Sequence, residues 1–353
     1  MQTIDKSKPV LVTGGSGYIA GWIIKSLLEM GITVRATVRD TRLPDKVTHL
    51  NDFAETLPGK LRLFAADLLK PGSFDQAMQG CELVMHTASP FLLKKEKDPQ
   101  AAFIQPALEG TRNVLKAVNA ASTVKRVVLT SSAAAIFGDF SDIETIAGSA
   151  FTEEHWNTTS SETHQPYSYS KTIAEREAWK IAGNQNRWDL VTINPTMVFG
   201  PSLTKNTVSG SVSLMKQFGD GTTRFGVPDL TMGIVDVRDV AQAHIQAGFT
   251  PEASGRHLVS AGEIELIEIG RILKEHFGGG YPFPKSTSPK FVVSLMAPLL
   301  GITRTFVKKN VGYKVRFDNA YSIKDLNLSY RPMKETLIAH FQQLIDDGLL
   351  PKK

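Results

Sequence analysis

Cysteine is nearly absent: Cys81 is the only one in 353 residues. No intrachain disulfide can form, and no Cys/His cluster has the spacing of zinc ligands, so no metal site is expected. That excludes a disulfide-stapled secreted scaffold and predicts a reducing, cytoplasmic setting. No apolar run approaches the roughly 20 residues that span a bilayer. The longest, residues 291–302, is interrupted by Pro298 and predicts a buried helix or a pocket wall. The first nine residues are polar and mixed in charge, unlike a signal peptide. An excess of one charge is lacking too: 40 Lys and Arg against 35 Asp and Glu leave +5. The only local basic excess, Arg304, Lys308, Lys309, Lys314 and Arg316, predicts a solvated face, with neither nucleic acid nor membrane as partner. Gly (28) and Pro (18) are near average usage, which leaves out collagenous and low-complexity chains.

What is present is globular: 42% of residues are hydrophobic and 21% charged, in a length that predicts about two domains. Short apolar runs at 9–14, 33–38, 61–66, 83–87 and 126–130 alternate with amphipathic stretches such as 19–30, 73–79 and 101–121. Near-continuous apolar strands separated by helices predict an α/β fold, a parallel sheet covered on both faces. A further helix over 166–182 leads to a strand at 190–194. Residues 200–232 are rich in Gly, Ser and Thr, with a possible helix near 212–218. Residues 232–236 predict one more strand of the same sheet, followed by a helix over 237–248. The expected division is a nucleotide-binding domain of residues 1–199 and 232–262, a smaller discontinuous lobe of 200–231 and 263–330, and a C-terminal helix in 331–353. There is no internal repeat.

Thr13-Gly14-Gly15-Ser16-Gly17-Tyr18-Ile19-Ala20 joins the first strand to the first helix. Gly14 suits the tight turn, Gly17 lets a pyrophosphate approach the backbone, and Ala20 permits close helix–strand packing. Ser16, Tyr18 and Ile19 complete the loop, whose helix N-terminus offers free N–H groups to phosphate. At the end of the second strand, where a ribose-binding carboxylate would select NAD, stand Val38 and Arg39, with Arg35, Arg42 and Lys46 nearby. A guanidinium grips a 2′-phosphate that a carboxylate would repel. The expected cofactor is therefore NADPH/NADP+ in preference to NADH, although Asp40 remains placed to reach a ribose hydroxyl and Arg42 suits plain solvated surface.

Ser131-Ser132 follows the fifth strand, and Tyr167-Ser168-Tyr169-Ser170-Lys171 lies on a predicted helix, where residues four apart share a face. Hydride addition to a carbonyl creates an alkoxide that must be protonated as it forms. Tyrosine titrates near 10, and matching it to neutral pH requires roughly 4 kcal/mol. One ammonium about 4 Å away supplies about that much at an effective dielectric near 20. The expected catalytic set is Ser132 orienting the carbonyl, Tyr167 as acid and Lys171 lowering the tyrosine pKa.

TGGSGYIA, VRATVRD, AADL, HTASP, LTSS, YSYSK and INPTMVFGP, in that order, resemble an extended short-chain dehydrogenase/reductase, most similar to its dihydroflavonol 4-reductase-like branch, which includes microbial aldehyde and ketone reductases. The resemblance implies a Rossmann-type doubly wound parallel sheet with a smaller, discontinuous C-terminal substrate lobe. It also implies Arg39 and Lys46 on the 2′-phosphate, Asp67 and Leu68 beside the adenine, and Thr87, Ala88 and Ser89 along the cofactor. Tyr167 and Lys171 also touch the cofactor, and Pro195 to Val198 contact its carboxamide. His86 is left as a packed histidine. Phe137 stands where plant dihydroflavonol reductases carry a flavonoid-holding asparagine. His164-Gln165-Pro166 replaces the stretch typical of cinnamoyl-CoA reductases. Both departures argue against those substrates. Ala107 takes the place of the helix asparagine that shorter relatives add to the proton relay.

The expectation is an NADPH-dependent reductase of small or medium aldehydes, ketones or keto esters. Phe91, Leu92, Phe137, Met197, Met215 and Phe218 are candidates for the pocket, and each suits lobe core as well. A nucleotide-sugar epimerase or dehydratase retaining NAD, and a non-catalytic NADP(H) sensor, are the alternatives. Either a monomer or a homodimer through the helices at 98–121 and 166–182 is compatible with the sequence.

Overall fold

The computed structural model describes residues 3–89, 98–299 and 301–351. The strands are β1 (Val10–Thr13), β2 (Thr33–Val38), β3 (Lys60–Ala65), β4 (Leu83–His86), β5 (Arg126–Thr130), β6 (Asp189–Pro195), β7 (Met197–Phe199), β8 (Val227–Pro228), β9 (Thr231–Asp236), β10 (Gly255–Val259), β11 (Gly262–Glu265) and β12 (Thr287–Ser288). The helices are α1 (Tyr18–Glu29), α2 (Pro44–Thr56), α3 (Asp75–Met78), α4 (Gln105–Ala120), α5 (Pro166–Gly183), α6 (Gly210–Asp220), α7 (Val237–Phe249), α8 (Leu266–Phe277), α9 (Lys290–Met296), α10 (Arg304–Asn310), α11 (Ala320–Leu326) and α12 (Met333–Asp346).

The main sheet is parallel throughout, with seven strands in the order β10-β6-β5-β4-β1-β2-β3. Its strands alternate their side chains between two cores, as a period of two requires. Val10 and Val12 join α1 and α7 on one face, while Leu11 meets Val114, Val118 and Ala178 of α4 and α5 on the other. This is the Rossmann-like arrangement. The strand order reverses between β1 and β4, and in such sheets the ligand crevice opens beyond the strand ends at that switch. The glycine loop and residues 87–89 both leave the sheet there.

A third core belongs to the lobe. Met215 and Phe218 of α6, Ile269 and Leu273 of α8, and Leu337 and Phe341 of α12 are all fully buried in it. The structure corrects the expected position of residues 232–236. β9 pairs with β7 and β11 in a separate three-stranded sheet, and the seventh strand of the main sheet is β10, parallel to β6. Of the two readings of 291–302, it corrects the buried helix. In α9 only Val293 is buried; Phe291 and Leu295 are 74% and 70% exposed. Among the described residues no helix is long and apolar enough to cross a membrane.

Candidate active site

The loop after β1 turns through Gly14 at φ +70°, a left-handed conformation that favours glycine. A Cβ there would meet the Ala88 Cα at 2.8 Å, so the glycine also lets the β4 exit close against the loop. Gly17 precedes α1 in an extended conformation and provides no side-chain cap. The first-turn N–H groups of α1 are thus left for an outside acceptor. Gly17, Tyr18, Ile19 and Ala20 line a cavity of about 560 Å³, while Ser16 is half-buried in the turn. Tyr18 donates to the Gly200 carbonyl at 2.5 Å, which ties the start of α1 to the segment after β7.

Beyond β2, Arg39 and Lys46 are exposed, and among the described residues neither has a carboxylate within ion-pair distance. Asp40 is engaged: both its oxygens accept from Arg42, at 3.0 Å each. That leaves Asp40 badly placed for a ribose hydroxyl and the two free cations well placed for a phosphate. Asp67 is exposed after β3, and its Oδ1 accepts from the Leu69 N–H; the Leu68 carbonyl accepts from Asn113 of α4 at 2.8 Å. Thr87 and Ser89 border the large cavity, as do Pro195 and Val198. An unsatisfied helix start, a glycine cradle and two unpaired cations suit a dinucleotide carrying a 2′-phosphate.

Ser132, Tyr167 and Lys171 border the same cavity. Pro166 stands at the first helical position of α5, where its missing N–H is harmless, so Tyr167 projects from the first turn. The entry is pinned by Gln165, at φ +53°, whose side chain donates to Asp139 Oδ1 at 2.8 Å. Asp139 is itself fully buried and also accepts from His164 (2.8 Å), Asn310 (2.8 Å) and Lys309 (3.1 Å). α10 is thereby clamped to the start of α5. Burial opposes the charge of Asp139, yet the hydrogen bonds from Asn310, His164, Lys309 and Gln165 together hold its pKa below the usual carboxylate range.

Ser132 Oγ accepts from the Ala134 N–H at 3.1 Å, and its side chain hydrogen-bonds the Tyr167 hydroxyl. Lys171 Nζ lies 5.8 Å from the Tyr167 ring centre and donates to Ser89 Oγ at 2.9 Å. Burial pushes the Tyr167 hydroxyl up to about 12, with the Ser132 hydrogen bond opposing. The net direction for Tyr167 is therefore upward, opposite to the expected lowering. In the protein as it stands burial dominates the hydroxyl, with the Ser132 hydrogen bond as the opposing influence, and Lys171 is itself drawn down to about 8 by burial, against the opposing charge of Glu175. His86 is buried, with Nδ1 2.8 Å from Thr13 Oγ1, and burial lowers it to about 3, so it stands neutral.

Of the pocket candidates, Phe137 and Met197 line the cavity together with Phe306 and Phe317. Phe137 stacks on Phe151 at 4.6 Å between ring centres. Met215 and Phe218 do not reach the cavity. Both are fully buried in the lobe core, because they fall on the α6 face that packs against α8 and α12. Phe91 and Leu92 lie outside the described residues. Sequence reasoning missed the polar groups behind the trio, Glu175, Asn194 and Arg256. The spacing Tyr167, Lys171, Glu175 was the available signal, since it continues one helix face.

Residues 10–261 match the family described as NAD dependent epimerase/dehydratase. Cinnamoyl-CoA reductase CAD2 of Medicago truncatula is 42% identical over 278 residues, covering 78% of this chain and 82% of that protein. Tetraketide alpha-pyrone reductase 1 of Arabidopsis thaliana is 34% identical over 358 residues and covers 98% of each chain. Among solved structures, yeast methylglyoxal/isovaleraldehyde reductase Gre2 complexed with NADPH aligns with a TM-score of 0.77 at 28% identity, over 96% of this chain and 99% of that one.

Proposed function

The chain belongs to the NAD dependent epimerase/dehydratase family and is a reductase of the extended short-chain dehydrogenase/reductase type, and from that premise we propose that it is an NADPH-dependent carbonyl reductase. The observation that carries the reading is the meeting of three groups in one cavity: the uncapped start of α1, the Ser132–Tyr167 hydrogen bond and the Lys171 amine. Arg39 and Lys46 select the phosphorylated cofactor, the glycine loop and α1 take its pyrophosphate, and Pro195 and Val198 bound the nicotinamide end. When bound, the cofactor supplies the hydride. Ser132 donates to the substrate oxygen and holds it beside the Tyr167 hydroxyl. As charge develops on that oxygen, Tyr167 delivers its proton. A phenol held near 12 stays protonated at neutral pH and is still far more acidic than the alcohol it forms, so the transfer runs downhill. Lys171, as an ammonium, stabilises the phenolate left behind.

The substrate side of the cavity, walled by Phe137, Met197, Phe306 and Phe317, suits an aldehyde, ketone or keto ester with an apolar body. Phe137 in place of a hydrogen-bonding asparagine disfavours a flavonoid, and His164-Gln165-Pro166 ahead of Tyr167 disfavours a CoA thioester. A panel of such carbonyls, assayed in parallel with NADPH and NADH, tests the reading. Turnover with a clear preference for NADPH is expected. Purified protein that retains NAD tightly and reduces no member of the panel overturns it in favour of an epimerase or dehydratase.

A further inference from the structure

Glu175 stands one turn beyond Lys171 on α5 and is 1% exposed. Its Oε1 accepts from Arg256 Nε (2.6 Å), Thr192 Oγ1 (3.2 Å) and Trp179 Nε1 (3.3 Å). Its Oε2 accepts from Ser131 Oγ (2.5 Å), Asn194 Nδ2 (2.7 Å) and Arg256 Nη2 (3.4 Å). One carboxylate therefore ties the catalytic helix to the end of β5, to β6 and to β10. A buried ion pair is weak evidence for stability, because apolar residues of similar volume often do as well. What this pair touches is more informative. Ser131 precedes Ser132, and Asn194 Nδ2 also donates to the Ser132 carbonyl at 3.2 Å. Lys171 and Glu175 further share a small cavity of about 20 Å³ with Ser89, Thr111, Thr130 and Ser131, enough for about one water molecule with polar partners on several sides.

We infer that Glu175 is a positioning residue for the hydride-transfer site, fixing the Ser131–Ser132 turn from behind and holding the Lys171 amine in its ammonium form. Arg256 sets how much of the carboxylate's charge Lys171 experiences. The inference rests on the reductase reading above. Among the described residues few other charges bear on Lys171. Tyr167 and Glu175 lie on its own helix. His86 of β4 is neutral, and Arg256 of β10 acts through Glu175. Among the described residues that line the small cavity, α4 gives Ala107, Gly110 and Thr111, and the end of β5 Thr130 and Ser131, none of which titrates in this range.

Reduction needs Lys171 protonated, so kcat falls as pH rises through the lysine pKa, and the position of that alkaline limb is the readout. Glu175→Gln removes the negative charge and leaves Arg256 positive, so the limb moves down by about one pH unit. Arg256→Gln leaves the carboxylate uncompensated and moves the limb up. Ser131→Ala, which deletes a single donor to Glu175, moves it up by less. Glu175→Asp keeps the charge and leaves the limb near its wild-type position. Circular dichroism and NADPH fluorescence identify the folded variants. Should a charge variant fail to fold, Ser131→Ala still decides, with Glu175→Asp as the control that keeps the charge. A merely structural network lowers kcat in these variants without moving the limb, and an unmoved limb in every folded variant other than Glu175→Asp overturns the inference. Absence of carbonyl reduction by the wild type overturns the functional reading, and is told apart from an active enzyme whose limb stays fixed.

Discussion

Replacing Lys171 by methionine is expected to stabilise the protein while abolishing reduction. A lysine amine ordinarily titrates at 10.5, and burial draws Lys171 down to about 8. Below that pH the folded state holds a proton that the unfolded chain binds more tightly, so the ammonium destabilises the fold. The shift corresponds to about 3 kcal/mol at about 1.4 kcal/mol per pH unit. Lys171 borders the open cavity and is only partly buried as a residue, so solvent screening reduces the figure to about 1–2 kcal/mol. Methionine fills a similar volume without charge. At pH 7, Lys171→Met should exceed wild type by about 1–2 kcal/mol, a rise of a few degrees in the melting midpoint. As pH rises from 8 to 10.5, the unfolded chain still holds the proton that the folded state has released. Wild-type stability therefore increases across this window and the gap closes. Urea titrations of both proteins at pH 7 and pH 10 measure this directly. A variant less stable than wild type at pH 7, or a gap that does not narrow by pH 10, refutes the reasoning.

Two further outcomes follow from the geometry. Arg39→Ser removes an unpaired cation beyond β2 and should raise KM for NADPH about tenfold or more while KM for NADH changes little; equal effects on the two cofactors would remove Arg39 from the 2′-phosphate. Met215→Ala, fully buried in the lobe core, should cost about 2–5 kcal/mol of stability in urea melts and leave KM for the carbonyl unchanged; a large KM change at intact stability would return Met215 to the pocket wall.

The strands from β1 to β6 were legible because each is a short apolar run, and a doubly covered sheet demands that pattern. β10 was not. Its Gly255-Arg256-His257-Leu258-Val259 reads as polar, yet Arg256 is neutralised by Glu175 and the fully buried His257 pairs with Asp325 at 2.6 Å. Buried polar side chains pass for surface in a sequence because their partners lie 81 and 68 residues away. α2 was missed for the opposite reason: only Val47 and Leu50 are buried in it, too few to show a period. β9 was recognised as a strand but assigned to the wrong sheet, since apolar alternation says nothing about which neighbour is paired. At the site, Tyr167 and Lys171 were readable from helical spacing. The direction of the tyrosine shift was not, because it depends on how deeply the hydroxyl is buried, which no spacing reports.

Whether Tyr167 gives the proton that completes carbonyl reduction is decided by Tyr167→Phe. The substitution deletes one hydroxyl, and with it the hydrogen bond from Ser132. In that variant kcat should fall by about 10²-fold or more while NADPH still binds with wild-type affinity by fluorescence titration. Turnover at the wild-type rate would contradict that role.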